Sequence, residues 1–274
     1  MSTVLFWAAF DQSKFSSAYV VSESRFTMKD NYGRNIYWDH GKKIFVVDNK
    51  YIFAYCGDVL YPITILSKLK EFIENKLLDF DHKSFENKIK LIREYILPSY
   101  KKYPIKESFS ILFLSVNNKK INLSQLDFKN NNCDTKIFDI REPVKVEYNG
   151  LTGLKETLFS PFTLVIGSGS SYYIPLEKSF NKKGAVYSRD KFKCLYKMVN
   201  DQLDEFSYGP LQIARIYTDG VAKPIGFIDN EKKFLYGEEI NDDILNDEFE
   251  WRNKNFEVCN SKTLKLKLGS QAQP

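Results

Sequence analysis

Apolar runs rich in β-branched and aromatic residues occur in three pairs, and a short polar turn separates the members of each pair. This pattern is typical of β-hairpins. The first pair lies at 2–10 and 16–25, around the polar turn 11–14. The pattern predicts two further hairpins, at 43–47 with 51–56 and at 108–116 with 121–128.

Elsewhere the apolar residues recur at the 3.6-residue period of an amphipathic helix. This period predicts helices over 62–77, 84–100 and 189–206. Shorter apolar runs predict further strands, at 145–148, 162–166, 211–217 and 224–228.

The order of these segments is strand hairpins, two helices, strand hairpins, one helix and closing strands. Neither a doubly wound parallel sheet nor a repeat solenoid has this order. It predicts an α+β protein in which two antiparallel sheets stack face to face and helices cover both outer faces. We expect residues 1–246 to form this single domain. Residues 247–274 are charged and lack periodicity, so we expect a flexible or peripheral C-terminal extension there.

Composition narrows the class of protein. A hydrophobic fraction of 43% supports a packed core. The net charge of +5 arises from well-mixed charges, without the basic stripe that would indicate nucleic-acid binding. The longest apolar runs are too short to span a membrane. The four cysteines lack metal-site spacing, so we expect reduced thiols in a cytoplasmic protein that uses no metal or cofactor.

The start of the chain carries a candidate nucleophile. Met1 is followed by the small residue Ser2, an arrangement from which initiator methionine is normally removed. A Ser or Thr in first position carries its own base, because the free α-amino group titrates near pH ~8 and lies beside the hydroxyl. By itself the stretch is also compatible with an ordinary chain start, so its interpretation depends on residues elsewhere.

Five polar motifs follow along the chain, and each alone has an ordinary structural explanation. They are Glu23-Ser24-Arg25, Lys43, Gly57, Ser168-Gly169-Ser170, and Asp204-Glu205-Phe206-Ser207-Tyr208-Gly209. With this order and spacing, residues 2–230 resemble the proteasome β-subunit family of N-terminal nucleophile (Ntn) hydrolases, which includes the bacterial HslV peptidase.

The resemblance implies the four-layer αββα sandwich of the Ntn hydrolases and hydrolysis of peptide bonds through an acyl-enzyme. The implied catalytic residues are Ser2, Glu23, Lys43, Gly57, Ser168, Asp204 and Ser207. Ser2 would be the nucleophile, Lys43 held by Glu23 would ease its deprotonation, and the Gly57 N–H would bind the oxyanion. Ser168, Asp204 and Ser207 would orient the α-amino group of Ser2. The implied substrate-binding residues are Phe26, Thr27, Tyr55 and Val59.

The resemblance also implies a peptide or unfolded-protein substrate, a homo-oligomeric ring and an ATPase unfoldase as partner. The sequence departs from the family's pattern in three respects. The nucleophile is usually Thr, whereas here Ser2 precedes Thr3, and the acidic residue is Glu23 in place of Asp. The segments before Glu23 and before Lys43 are longer than usual. We favour Ser2 over Thr3, because removal of methionine exposes it without a further cleavage.

Two alternatives to a peptidase remain at this stage. A catalytically silent structural subunit of a proteasome-like shell would retain the fold without the chemistry. An Ntn amidohydrolase acting on small amides would use the same nucleophile without a ring. Native mass separates the amidohydrolase from the peptidase, since a monomer or dimer favours the amidohydrolase and a large ring favours the peptidase.

Overall fold

The computed structural model describes residues 2–11, 14–105, 107–149, 155–181, 187–241 and 249–270. Met1, part of the first hairpin turn, and the predicted boundary at 246/247 lie outside these ranges. The strands of the N-terminal half are β1 (Thr3–Asp11), β2 (Lys14–Ser22), β3 (Phe26–Lys29), β4 (Asn35–Trp38), β5 (Ile44–Val47), β6 (Tyr51–Gly57), β7 (Phe109–Asn117), β8 (Lys120–Lys129) and β9 (Asn132–Phe138).

The remaining strands are β10 (Val144–Asn149), β11 (Lys155–Ser160), β12 (Phe162–Gly167), β13 (Gln212–Tyr217), β14 (Ala222–Asp229), β15 (Lys232–Leu235), β16 (Glu238–Glu239), β17 (Glu250–Asn253) and β18 (Val258–Cys259). The helices are α1 (Leu60–Glu74), α2 (Phe85–Lys102), α3 (Ser170–Asn181) and α4 (Ser188–Asn200). The chain therefore combines several antiparallel sheets with helices, as the sequence predicts, and the three predicted hairpins are confirmed. No helix in the described part of the chain is both long and apolar enough to cross a membrane.

Two large sheets dominate the structure. The first has the order β12-β1-β2-β13-β14-β15-β16, and β17 adds to it in parallel with β14. The second is a five-stranded antiparallel meander, β5-β6-β7-β8-β9. Tight turns build the meander: β7 and β8 are joined by Asn118 and Lys119, both at positive φ, as a two-residue hairpin turn requires.

Alternate residues of each strand belong to different apolar clusters, as the two-residue period of a strand dictates. In β1, Val4 and Phe6 join a cluster that also contains Ile52 and Leu112 of the second sheet. The intervening residue Leu5 belongs to a cluster that includes side chains of α3 and α4. A third cluster combines the other face of the second sheet with α1 and α2.

Three regular elements lie in segments to which the sequence analysis assigns neither strand nor helix. The segment 26–43 contains the hairpin of β3 and β4. The Asn-rich segment 129–133 contains a two-residue turn, Asn130-Asn131, that leads into β9. The helix α3 follows the Gly-Ser-rich motif and contains Pro175, which weakens its helical pattern.

The third predicted helix is shorter than its pattern indicates. It ends at Asn200, and Gln202 adopts a positive φ of 51° that stops the helix. Residues up to Phe206 therefore form turns, and this places Asp204 outside the helix.

The C-terminal segment differs from the expected peripheral extension. The strand β17 pairs with β14, and Phe256 is buried against Trp7 and Tyr19 of the first sheet. Two buried aromatic side chains, Trp251 and Phe256, attach the segment to the core. The residues around them are charged, so the sequence pattern did not predict this attachment.

Candidate active site

The candidate site forms where the chain begins, because β1 lies between β12 and β2 in the first sheet. Thr3 pairs with Gly167 on one side, and its carbonyl accepts a hydrogen bond from the Ser22 hydroxyl at 2.8 Å on the other. The Ser168 N–H donates to the Ser2 carbonyl at 3.0 Å. Backbone and side-chain hydrogen bonds thus hold both N-terminal residues in place.

One half of the site is a buried ion pair. Lys43 Nζ donates to Glu23 Oε1 at 2.6 Å, and both side chains are 0% exposed. The same oxygen accepts the Thr3 N–H at 3.0 Å, and the Arg25 N–H donates to Oε2. Burial raises the pKa of Glu23, while the Lys43 charge opposes that shift. Burial likewise lowers the pKa of Lys43 against the pull of Glu23. Burial thus acts against the charged form of each group, and the attraction between the two groups acts in its favour.

The other half of the site converges on the Asp204 carboxylate. Its Oδ2 accepts the hydroxyl of Ser207 at 2.7 Å and that of Ser168 at 3.0 Å. The Thr3 and Ser207 hydroxyls lie 2.7 Å apart. Because Ser207 gives its proton to Asp204, Thr3 is the donor in that pair. Thr3 therefore contacts both halves, through its N–H to Glu23 and through its hydroxyl to Ser207.

Ser2 differs from Thr3 in its surroundings. Its Oγ is buried and has no hydrogen-bond partner among the described residues. Ser2 lines a pocket of about 320 Å³ together with Gly57 and Ser168. Cys56 also lines this pocket, but burial raises the pKa of its thiol to about 12, so it remains protonated at neutral pH. Among the described residues that line this pocket, Ser2 is the one with a buried hydroxyl that lacks a partner.

Two glycines shape the walls of this pocket. A side chain at Gly57 would lie 2.4 Å from the Ser108 carbonyl oxygen, and its φ is 103°. A side chain at Gly167 would meet the Ser2 carbonyl oxygen at 1.8 Å. Both positions therefore require glycine, because the neighbouring backbone leaves no room for a Cβ.

The four predicted substrate-binding residues do not line this pocket. Phe26 and Tyr55 are buried in the cluster that contains α1 and α2, and Val59 packs against the same cluster. Thr27 lies on β3 next to this region, and its hydroxyl has no partner among the described residues. The Tyr55 hydroxyl donates to the Lys42 carbonyl. The structure thus brings together the predicted catalytic residues. The predicted substrate-binding residues lie outside the Ser2 pocket, although the Phe26 ring lies 5.8 Å from Lys43 Nζ and the Tyr55 N–H donates to the Lys43 carbonyl.

Gln212 is a site residue that the sequence interpretation missed. Its fully buried side chain accepts the Lys43 N–H at 3.0 Å and donates to the Gly41 carbonyl at 2.6 Å and the Ser24 hydroxyl at 2.9 Å. It thereby joins the backbones that carry Lys43 and Glu23. A lone amide at the start of an otherwise apolar strand was the available signal.

Arg25 supports the opposite side of the site. Its guanidinium binds Asp39 through two hydrogen bonds of 2.7 and 2.9 Å and donates to the Glu205 carbonyl. It also stacks between the rings of Tyr37 and Tyr208, at 4.3 and 4.6 Å. This single side chain connects the Glu23 segment, the β3–β4 hairpin and the turn that carries Asp204 and Ser207.

Comparison with known proteins finds similarity among solved structures but none among family models or curated sequences. The crystal structure of eukaryotic HslV from Trypanosoma brucei matches with a TM-score of 0.44 and 11% identity, covering 78% of this chain and 99% of that chain. A similarity of this size carries neither a fold nor an activity from one protein to the other, so the proposals below depend on contacts within this chain.

Proposed function

We propose that this chain is an Ntn hydrolase of the proteasome β-subunit and HslV type, which cleaves peptide bonds through an acyl-enzyme on Ser2. The observation that carries the proposal is the position of Thr3. Its N–H binds the Glu23 carboxylate that holds Lys43, and its hydroxyl binds the Ser207 that holds Asp204. Ser2 is therefore the direct neighbour of a residue that contacts both the buried Glu23–Lys43 pair and the Ser207–Asp204 network.

The contacts favour Ser2 over Thr3 as the nucleophile. The Thr3 hydroxyl is fully buried and donates its proton to Ser207, so it is committed to a structural hydrogen bond. The Ser2 hydroxyl has no such partner in the described part of the chain, and Ser2 lines the pocket that Gly57 also lines. A nucleophile must be free of structural hydrogen bonds and next to a substrate pocket, and Ser2 fits this requirement better than Thr3.

In the proposed reaction, Ser2 Oγ attacks the substrate carbonyl and its α-amino group accepts the proton. This requires a chain that begins at Ser2. The positive charge of Lys43 lowers the free energy of the developing alkoxide, and the Gly57 N–H donates to the oxyanion. The α-amino group then returns the proton to the leaving amine, and water hydrolyses the ester.

The proposal extends to the architecture. The three apolar clusters are compatible with four layers, in which α1 and α2 cover the second sheet and α3 and α4 cover the first. This arrangement is the αββα sandwich of Ntn hydrolases. From the sequence resemblance we further propose a cytoplasmic homo-oligomeric ring that receives unfolded protein from an ATPase.

The test combines intact mass, N-terminal sequencing and a peptidyl β-lactone probe, which acylates N-terminal nucleophiles. We expect a chain that begins at Ser2 and carries one probe adduct on that residue. Ser2→Ala should abolish labelling and reduce peptide turnover about 1000-fold or more. Ser2→Thr should retain probe labelling and peptide turnover, because it keeps a hydroxyl beside the α-amino group.

Thr3→Ser is the matched control, since it keeps the hydrogen bond to Ser207, and we expect labelling to persist. Labelling that survives Ser2→Ala but moves to Thr3 would contradict the assignment of the nucleophile. A purified chain that starts at Ser2 yet hydrolyses no peptide would contradict the proposed activity.

A silent structural subunit is the second candidate, and the burial of the site favours it. Ser2 is 1% exposed, and Glu23 and Lys43 are 0% exposed. A chain that retains Met1 after purification would have no free α-amino base at Ser2. That outcome, with no probe adduct, would make the silent subunit the better assignment.

A further inference from the structure

The pocket beside Ser2 is charged on the side away from the N-terminus. Strand periodicity directs Leu126 and Phe128 of β8 into the cluster that contains α1 and α2. The intervening residue Asp127 lies on the opposite face of the strand and lines the pocket together with Ser110 of the neighbouring strand β7, and Phe128 borders both the pocket and that cluster. The proposed nucleophile and a carboxylate therefore share one cavity.

Neutral groups hold this carboxylate in place. The Ser110 hydroxyl donates to Asp127 Oδ1 at 2.5 Å, and the Gln125 amide donates to both carboxylate oxygens at 2.8 and 3.0 Å. These donors fix its orientation without neutralising its charge. Lys129 lies two residues further along β8 at the pocket rim, where it is exposed and water screens its charge.

Two further features indicate that the cavity receives a ligand group. The buried Ser2 hydroxyl lies on its wall and has no partner among the described residues. The volume of about 320 Å³ is at the lower end of the range for ligand pockets, which suits one side chain. Ser108, Ser110 and Ser168 line the pocket together with the carboxylate, and Phe109 and Phe128 add apolar surface.

We infer that Asp127 binds a cationic substrate group, a Lys or Arg side chain close to the cleaved bond. This inference rests on the proposed peptidase function and adds a substrate class to it. A carboxylate in a partly enclosed pocket attracts a guanidinium or ammonium more strongly than it would in water. The predicted substrate-binding residues Phe26 and Tyr55 are buried in the cluster that contains α1 and α2 and do not line this pocket.

The test uses internally quenched peptides that differ at one position at a time and carry Arg, norleucine or Glu, with cleavage sites mapped by mass spectrometry. At one position flanking the cleaved bond, we expect kcat/KM for Arg to exceed that for norleucine about tenfold or more, the effect of one charge-assisted hydrogen bond. Asp127→Asn should reduce this ratio to about one, because the amide keeps the shape and loses the charge.

Asp134→Asn is the matched control. Asp134 pairs with Asp127 across β8 and β9, is exposed and does not line the pocket. We expect the Arg preference to be unchanged in this variant. Equal turnover of Arg and norleucine peptides by the unmodified protein, or a preference that survives Asp127→Asn, would overturn the inference.

Binding measurements separate this inference from the proposed chemistry. Fluorescence anisotropy with the Ser2→Ala protein reports on the pocket without turnover. We expect the Arg peptide to bind about tenfold more tightly than the norleucine peptide, and Asp127→Asn to remove the difference. Absent turnover with retained Arg selectivity would refute the peptidase proposal alone, whereas equal binding would refute the role of Asp127.

Discussion

Two groups of ion pairs in this chain have opposite surroundings. Glu23 and Lys43 are completely buried. Taking two charges out of water costs several kcal/mol per ion, and their mutual attraction only offsets that cost. Apolar residues of the same volume would often be equally stable or more stable.

The second group lies at the surface, where Lys50 and Lys76 each bind both Asp48 and Asp81 at 2.7–3.1 Å. The lysine side chains are 50% and 56% exposed. The desolvation cost of these surface pairs is small, and the attraction between their charges is also small because water screens it.

The comparison shows that short contact distances alone do not indicate the role of an ion pair. Both groups have short contacts, but only the buried pair carries a free-energy cost that stability does not explain. Glu23 accepts the Thr3 N–H, and Gln212 accepts the Lys43 N–H. The buried pair is therefore connected to the candidate site at Ser2 and Thr3. The following predictions test this contrast.

The largest effect is expected for Lys43→Met. This change leaves the Glu23 carboxylate buried without its cation, so we expect the free energy of unfolding to fall by about 3–5 kcal/mol. The double variant Lys43→Met/Glu23→Gln should recover at least about 1 kcal/mol of that loss, because it removes the unpaired charge. Urea unfolding measures both. Peptide turnover should be absent from both variants, and equal stability of the two would contradict this account.

The pH dependence of the single variant follows from Glu23. Burial raises the pKa of Glu23 in the folded protein. A raised folded-state pKa favours the folded state below the unfolded-state pKa of about 4.3, and this advantage is lost as the pH rises. The destabilisation caused by Lys43→Met should therefore be smaller at pH 4 than at pH 8.

An intermediate effect is expected for Gln212→Leu. The side chain is similar in size, but the change leaves the Lys43 N–H and the Gly41 carbonyl without their partner. We expect a loss of about 1–3 kcal/mol in the free energy of unfolding. Gln212→Glu, which keeps an acceptor for Lys43, should lower stability through its buried charge instead. Unchanged stability in both variants would show that the network does not hold the site.

The smallest effect is expected for Asp81→Asn. Burial would raise the pKa of Asp81, but hydrogen bonds from Lys76, Tyr51 and Lys50 outweigh it and lower the pKa. This stabilisation is present above the unfolded-state pKa of about 3.9 and is lost as the pH falls through the folded-state pKa. Because the group is partly exposed, we expect a loss of about 1 kcal/mol or less at pH 7.

Urea unfolding at pH 7 and in acid measures this difference, which should shrink in acid and in 1 M salt. A loss at Asp81 as large as that at Lys43 would erase the contrast between the two groups.

Local sequence pattern predicted much of the fold and part of the site. The hairpins that carry Glu23, Lys43 and Gly57 were predictable, because apolar runs and polar turns are local signals. The helix α3 was not, since its Gly-Ser start and Pro175 resemble a loop. The turn at Asp204 was also missed, because the preceding apolar period continues past the point where Gln202 ends α4.

The C-terminal strands were missed for a different reason. Trp251 and Phe256 stand in a charged segment without periodicity, and their burial depends on a sheet edge and aromatic partners far away in the chain. No local window contains that information. Likewise, Gln212 became recognisable only when its partners came together from two loops, one that carries Ser24 and one that carries Gly41 and Lys43.

The sequence by itself determined which residue types could form a site and the strands on which most of them lie. Only the tertiary structure distinguishes the surroundings of Ser2 and Thr3. The pairing of Thr3 with Gly167 places its hydroxyl next to that of Ser207, whereas Ser2 lines the pocket and its hydroxyl has no partner among the described residues. A shift of one residue in the register of β1 would exchange the surroundings of Ser2 and Thr3. This register is set by strands that are distant in the sequence.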